Sequence, residues 1–155
     1  MTVEEVKLHA RIDGTDDDAL IAGLISAAVA YLDAWGGVLG RAIMDQEWKV
    51  YMPCAGEHLL PFPDVTAASV VYDDASTAAL DAEVKAGGWK VDLDQPGWVT
   101  FSAELPESRL PLCRTLIFMI VAYWYGNREG AGEEDLAGAP LAVNAIISSL
   151  RWRRL

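Results

Sequence analysis

The chain has 155 residues, of which 52% are hydrophobic and 23% charged, so it has the length and apolar content of one folded domain and is not a disordered chain. Its net charge of −11 argues against a nucleic-acid-binding surface, because an acidic body repels phosphate groups. The charge is uneven: the last five residues, RWRRL, carry +3, whereas residues 1–150 carry −14.

The first 35 residues predict two helices. Residues 2–12 form the first, because Thr2 and Glu5 have the spacing of a capping box. An aspartate-rich break follows, in which Thr15 is placed to cap the second helix and the aspartates lie where the helix dipole favours negative charge. Apolar residues then recur at helical spacing as far as Trp35, where two glycines end the helix.

The middle of the chain, residues 46–102, has a β pattern. Its first segment, QEWKVYM, places Trp48, Val50 and Met52 on one face of a strand. Further short β-like runs follow between turn residues: HLLPF, ASVVYDD, WKVDLD and GWVTF. The DQPG between the last two predicts a hairpin turn. We therefore expect a small antiparallel sheet in this region.

The third predicted helix runs from about Pro111 to Asn127 and carries the apolar stretch LIFMIVAYWY. This stretch is about half of the roughly 20 residues that a bilayer crossing needs, so we expect a core helix rather than a membrane span. It is apolar on nearly all sides, and a chain of this length has limited material to surround it. Part of the helix, including Ile120, Tyr123 and Trp124, is therefore expected to contact a neighbouring subunit.

The C-terminal part of the sequence predicts a last helix, which Pro140 opens and which ends near Leu150. The basic segment RWRRL, residues 151–155, follows as a tail that suits an acidic protein surface. At the other end, the residues after Met1 lack the apolar core of a secretion signal. We therefore expect a soluble protein that is made in the cytoplasm.

The order of these elements predicts the fold class and the domain organisation. We expect an α+β fold that is mainly α-helical, with about four helices and a small antiparallel β-sheet inserted between helices 2 and 3. Residues 1–150 are expected to form one domain, with the β insertion at about 46–102 and the basic tail at 151–155.

The sequence carries no recognisable motif for catalysis, cofactor binding or metal binding. It lacks the GxSxG, GxxxxGK[ST], GxGxxG and HExxH patterns. The aspartate cluster fails as a calcium loop, since counting from Asp13 puts Asp18 at the glycine position and Leu24 at the glutamate position. We therefore expect no catalytic residue, no cofactor and no metal.

The two cysteines, Cys54 and Cys113, lie far apart in the sequence and outside any CxxC pattern. A disulfide between them stays open as an alternative, but no secretory context favours it, and two reduced thiols are expected, with Cys113 in a helix core. The two histidines, His9 and His58, would need these distant cysteines to form a zinc site, so solvated or capping roles are favoured.

Six segments of the chain, taken in order, resemble a known family. The chain opens with TVEEVKLHARIDGTDDDALIAGLISAAVAYLDAWGG, continues with QEWKVYM, LPFPDVTAASVVYDD and WKVDLDQPGWVTF, and closes with LPLCRTLIFMIVAYWYGNRE and APLAVNAIISSLRWRR. In this order the segments resemble the head–tail connector, or adaptor, proteins of long-tailed bacteriophages and of phage-derived gene transfer agents. The resemblance covers nearly the whole chain, and the helix ending in YGNRE is among its more specific parts.

The resemblance implies a structural protein at the head–tail interface of a virion or phage-like particle. Such proteins form a ring of roughly twelve copies beneath the portal, extend the DNA channel and join the capsid to the tail. The implied partners are further copies of the chain, the portal protein and a tail-side stopper or tail terminator protein. DNA is expected to pass through without specific binding, and no membrane is involved.

The resemblance also suggests a role for the basic tail. Arg151, Trp152, Arg153, Arg154 and Leu155 are expected to dock on the portal, because arginine and tryptophan are enriched at interface hot spots. A tail folded back on its own acidic body is the alternative. Two other classes of function stay open: a small cytoplasmic protein-interaction module, and a cofactor-binding enzyme, which would need a pocket with converging polar groups.

Overall fold

The computed structural model describes residues 1–85, 88–127 and 141–152. The chain divides into two compact units, one built from helices and one from strands. Unit 1 comprises Met1–Leu39 and Glu107–Arg151, and unit 2 comprises Gly40–Pro106 and Trp152. The single domain over residues 1–150 with a separate tail stays a prediction.

Unit 1 holds the four α-helices of the described residues. Their bounds are α1 Val3–Ala10, α2 Asp18–Leu32, α3 Leu110–Gly126 and α4 Leu141–Leu150, with a short 3₁₀ helix at Glu107–Arg109 before α3. Helix α3 contacts each of the other three helices, so its apolar residues form the centre of this unit. Within the described part of the chain, no helix has both the length and the apolar character that crossing a bilayer requires.

The helix ends follow local capping chemistry. The Thr2 hydroxyl accepts a hydrogen bond from the Glu5 N–H at 3.3 Å, and the Glu5 carboxylate accepts one from the Thr2 N–H at 2.8 Å, which confirms the predicted capping box. Helix α2 begins later than predicted. Thr15 is not its cap, because Asp17 holds that position and the Asp18 N–H donates to the Thr15 carbonyl at 3.2 Å in a preceding turn. The helix also ends at Leu32, before the predicted end.

Unit 2 holds the seven β-strands of the described residues, in two antiparallel sheets. Their bounds are β1 Gln46–Met52, β2 Gly56–Leu59, β3 Val65–Tyr72, β4 Thr77–Leu80, β5 Glu83–Lys85, β6 Gly88–Leu93 and β7 Gly97–Ala103. Sheet A has the strand order β1-β7-β3-β4, and sheet B has the order β2-β6-β5. Strands β1 and β4 are therefore the two edges of sheet A.

The core of unit 2 is built from alternate strand positions. Met52 of β1 is buried, and Trp48 and Val50 pack against the same cluster, on the face that the sequence period predicts. On β7, Val99 lies opposite Val50 and Phe101 lies opposite Trp48, and both are fully buried. The residues between them point to the outer face of sheet A.

The predicted fold class is wrong. The region expected to hold one small sheet contains seven strands in two antiparallel sheets, so the fold is not mainly helical with a small insertion. The prediction missed β4, TAAL, and β5, EVK, which have only four and three residues and are rich in alanine and charged residues of low β propensity. They become strands because β3 and β6 supply the pairing, which the local sequence does not encode.

Candidate functional site

Helix α3 keeps part of its apolar surface accessible. Ile120 is only 5% exposed and belongs to the core of unit 1. Tyr123 and Trp124, about one turn further on, are half-buried, and the Trp124 ring packs edge to face against Tyr31 of α2 with centroids 6.1 Å apart. Of the three residues predicted to meet a neighbouring subunit, Tyr123 and Trp124 have surface to offer. Ile120 is used within its own unit.

The N-terminal half of α3 is tied to α1 by charged and aromatic contacts. Arg114 forms an ion pair with Glu5, and its guanidinium carbon lies 5.7 Å from the centroid of the Phe118 ring. The His9 ring also stacks on Phe118, with the two ring centroids 5.0 Å apart. The hydrogen bond from the Thr2 backbone, and then Arg114, hold the pKa of Glu5 below its ordinary value.

The C-terminal segment is described as far as Trp152. Arg151 is exposed, and its N–H donates to the Ile147 carbonyl at 2.8 Å, which continues the helical bonding past α4. Trp152 is half-buried, and its ring centroid lies 6.0 Å from the guanidinium carbon of Arg41. The remaining tail residues of the prediction, Arg153, Arg154 and Leu155, lie outside the described residues.

The place that receives Trp152, which we call the tryptophan seat, is formed by Gly40, Arg41 and Gly88. A Cβ atom added at Gly88 would lie 3.3 Å from Trp152 Cζ2, so the bare glycine backbone leaves room for the ring. Arg41 is 5% exposed and forms an ion pair with Asp64, as a buried guanidinium requires. Sequence reasoning missed Arg41, whose only signal is a single arginine among small and apolar residues in GVLGRAIM.

The outer face of sheet A presents a row of exposed side chains, which we call the aromatic row. Tyr51, Trp98 and Val71 lie opposite one another on three neighbouring strands and are 40%, 45% and 43% exposed. The Lys49 ammonium lies 5.2 Å from the centroid of the Trp98 ring, and the Tyr51 hydroxyl donates to Asp73 at 2.9 Å. Exposed aromatic residues of this kind are typical of protein contact surfaces.

A groove of about 370 Å³, which we call the polar groove, lies between β4 and the outward face of sheet B. Its charged lining includes Asp81, Asp92, Asp94 and two lysines, Lys85 and Lys90. Both lysines form ion pairs with one glutamate of β2, at 2.9 and 2.5 Å. Pockets that hold small molecules are mainly apolar, so this lining does not match a cofactor pocket.

The side chains of Cys54 and His58 lie together, but their geometry opposes catalysis. His58 Nε2 is 3.8 Å from the Cys54 sulfur and 2.7 Å from the Cys54 carbonyl oxygen. A carbonyl oxygen only accepts, so this nitrogen carries the hydrogen and cannot take the thiol proton.

Cys113 is a free thiol whose pKa is raised to about 11 by burial and then by Asp33, which keeps it protonated at neutral pH. Within residues 1–85, 88–127 and 141–152, no cluster of three His, Cys, Asp or Glu side chains is arranged to hold a metal.

The described residues carry four surface features: the accessible side of α3 at Tyr123 and Trp124, the tryptophan seat, the aromatic row and the polar groove. Residues 1–53 match the family model described as phage gp6-like head-tail connector protein. The predicted resemblance to the phage head–tail connector family is therefore confirmed, over the part of the chain that runs from α1 through β1. No curated protein matches the chain.

Proposed function

We propose that the protein is a structural head–tail connector, which forms a ring under the portal of a tailed phage or gene transfer agent particle, extends the DNA channel and joins the capsid to the tail. The observation that carries this proposal is the match of residues 1–53 to the phage head–tail connector family. That family is structural rather than catalytic, and its place is in the virion. The contact surfaces of the described residues support the same class of function.

Subunit contacts in the proposed ring involve the flank of α3. Tyr123 and Trp124 are half-buried, which leaves aromatic surface for a neighbour. The aromatic row of sheet A is a second surface of this kind. A ring of about twelve copies needs two different surfaces that meet head to tail, because a self-complementary patch closes a dimer instead.

The acidic body of the chain supports the proposed role as a DNA conduit. Residues 1–150 carry a net charge of −14, and a channel that repels phosphate lets DNA slide rather than bind. We expect no specific DNA binding. Sub-micromolar binding of a DNA duplex at physiological salt, measured by fluorescence anisotropy, would contradict the conduit role.

The basic segment, residues 151–155, is proposed to dock on the portal. The exposure of Arg151 supports this role. The placement of Trp152 in its seat supports the alternative, in which the tail folds back on its own chain. Portal docking through Trp152 therefore involves leaving the seat.

Deletion of residues 151–155 tests the docking role. The truncated protein is expected to stay folded and to bind the portal protein more weakly. Trp152→Ala should weaken that binding more than Arg151→Ala, because a large aromatic side chain contributes more to an interface than one exposed charge. A truncated protein that binds the portal as tightly as the full chain contradicts the proposal, and one that unfolds favours the fold-back alternative.

Mass measurement in solution, with and without the portal protein, tests the connector function as a whole. A connector is expected to form a complex with the portal that contains many copies of the chain. A chain that stays monomeric with and without the portal favours a protein-interaction module with another partner. Saturable stabilisation by a nucleotide or another cofactor, in a thermal-shift assay, favours an enzyme or cofactor binder.

A further inference from the structure

Strand β4 is an edge of sheet A, and its open side faces the polar groove. Four consecutive residues, 78–81, line the groove. Residues 78–80 of these belong to β4, and alternate residues of a strand point to opposite faces of a sheet, so three consecutive strand residues line one cavity only along the edge of the strand. The groove therefore runs beside the backbone of β4.

The backbone groups that face the groove follow from the pairing of β4 with β3. The Tyr72 N–H donates to the Ser76 carbonyl at 2.9 Å, and Val70 pairs with Ala78 two positions further along both strands. Antiparallel pairs alternate between hydrogen-bonded and non-hydrogen-bonded, so Ala78 bonds to β3. The N–H and C=O of Ala79 point away from β3, toward the groove. In the described turns and loops, no backbone hydrogen bond uses these two groups.

The acidic side chains that line the groove outnumber the basic ones. Both lysines of the groove are already paired with Glu57, at 2.9 and 2.5 Å. Asp81, Asp92 and Asp94 line the same groove, and none of the ion pairs found in the described residues includes them. The groove thus combines open backbone hydrogen-bonding groups with carboxylates that form no ion pair within the described residues.

We propose that the polar groove binds an extended segment of a partner protein, which carries arginine or lysine side chains and pairs with β4 as a fifth strand of sheet A. Backbone pairing along β4 supplies affinity, and the three aspartates select basic side chains. The contact adds a partner surface to the proposed connector. The alternative explanation is that the short length of β4 and the charged residues beside it prevent any further strand from pairing with this edge of sheet A.

The occupant is a partner protein other than a second copy of this chain. Basic residues of the described chain are scattered, and several are held in ion pairs, as Lys7 is with Asp18 and Arg114 is with Glu5. The tryptophan seat holds the start of the basic tail on its own chain. No described segment therefore offers an extended run of free basic side chains. Concentration-dependent self-association through β4 would contradict this assignment.

The probe is the capped pentapeptide RVRVR, and the matched control is the capped pentapeptide EVEVE. An NMR titration of the full chain at low salt is expected to shift the amide signals of residues 77–81 and of Asp92, with binding that weakens as the salt concentration rises. The acidic peptide should leave these signals unchanged. Equal binding of both peptides, or shifts confined to other parts of the chain, would overturn the proposal.

Variants of the chain separate backbone pairing from charge. Ala79→Pro removes the outward N–H and leaves the bonds to β3, since proline is tolerated at an edge position whose N–H points outward. About tenfold weaker binding of RVRVR is expected, which is the worth of one hydrogen bond. An RVRVR peptide that is N-methylated at its central residue tests the same pairing if the proline variant misfolds.

The combined change Asp92→Asn and Asp94→Asn should weaken binding several-fold. Asp16→Asn, the same change at an exposed site in unit 1, should have no effect. If RVRVR bound the Ala79→Pro variant and the double aspartate variant as tightly as it binds the wild type, the proposal that the groove binds a basic strand would be refuted.

Discussion

Replacing Ile120 and Trp124 by aspartate, one at a time, separates folding from assembly. Ile120 is 5% exposed in the core of unit 1. Its loss removes about 1.5–3 kcal/mol of apolar burial, and an unpaired polar group in the same place costs about 1–3 kcal/mol more. The sum is a large part of the roughly 5–15 kcal/mol that stabilises a typical domain. Ile120→Asp is therefore expected to unfold unit 1 or nearly so.

Trp124→Asp is expected to act differently, because this side chain is half-buried. The variant loses the edge-to-face contact with Tyr31, which is worth about 0.5–1.5 kcal/mol, and part of the apolar burial of the indole. Its carboxylate can reach water in the monomer, so the protein stays folded. In an assembled ring the same carboxylate enters a dry interface without a partner, and assembly is expected to fail.

Urea unfolding followed by circular dichroism measures the first effect, and mass in solution with the portal protein measures the second. Leu112→Asp is the matched control, since this residue lies on the same helix and is exposed. It should leave both stability and assembly close to wild type. If Ile120→Asp and Trp124→Asp both stayed folded and assembled normally, the burial argument and the interface assignment would be refuted together. Normal assembly of Trp124→Asp alone removes only the interface role.

Three further predictions concern single groups. Arg41→Ala should destabilise unit 2 by about 3 kcal/mol in urea unfolding, because it leaves Asp64 without its buried partner; a change below about 0.5 kcal/mol, the usual range for surface sites, would contradict the pairing. Glu5 has a lowered pKa, so its contribution to stability is present above its ordinary pKa of 4.5 and is lost as the pH falls through the folded value. Thermal unfolding of wild type and Glu5→Gln should therefore converge toward low pH, and a difference that grows in acid would be the wrong sign. Cys54 is exposed and Cys113 is buried with a raised pKa, so a thiol reagent at neutral pH should modify Cys54 first. Faster modification of Cys113, read by mass spectrometry, would contradict the burial.

The helices could be predicted from the sequence because their signals are local. The Thr2–Glu5 capping box lies within four residues, and the apolar spacing that marks α2 and α3 repeats every turn. The position of the α2 start was mispredicted because several polar residues before it are all acceptable caps, and turn geometry chooses among them. Local chemistry in this region restricts the start of the helix to a few residues but not to one.

The sheets were underestimated because strand formation depends on partners distant in the sequence. Strand β4 has four residues with two alanines, and β5 has three residues with two charges, so neither has a β signal of its own. Each forms by pairing with a neighbour that is a clear strand, β3 or β6. The polar groove was equally absent from the prediction, since Asp81 and Asp92 are eleven positions apart and meet only once both sheets exist.

Trp152 shows why residue type predicts a contact without predicting the partner. The sequence predicts that Trp152 docks on the portal, with fold-back on its own chain as the alternative, and in the structure the half-buried Trp152 ring lies 6.0 Å from the guanidinium carbon of Arg41 of the same chain. Nothing in the local sequence distinguishes this arginine from one on the portal, because a cation attracts an aromatic ring in the same way in either protein. If the tail docks on the portal, Trp152 leaves the tryptophan seat and contacts the portal instead. The affinity then reflects the difference between the two contacts rather than the strength of either one. A stable contact of Trp152 with the tryptophan seat therefore weakens docking, even when the contact with the portal is favourable.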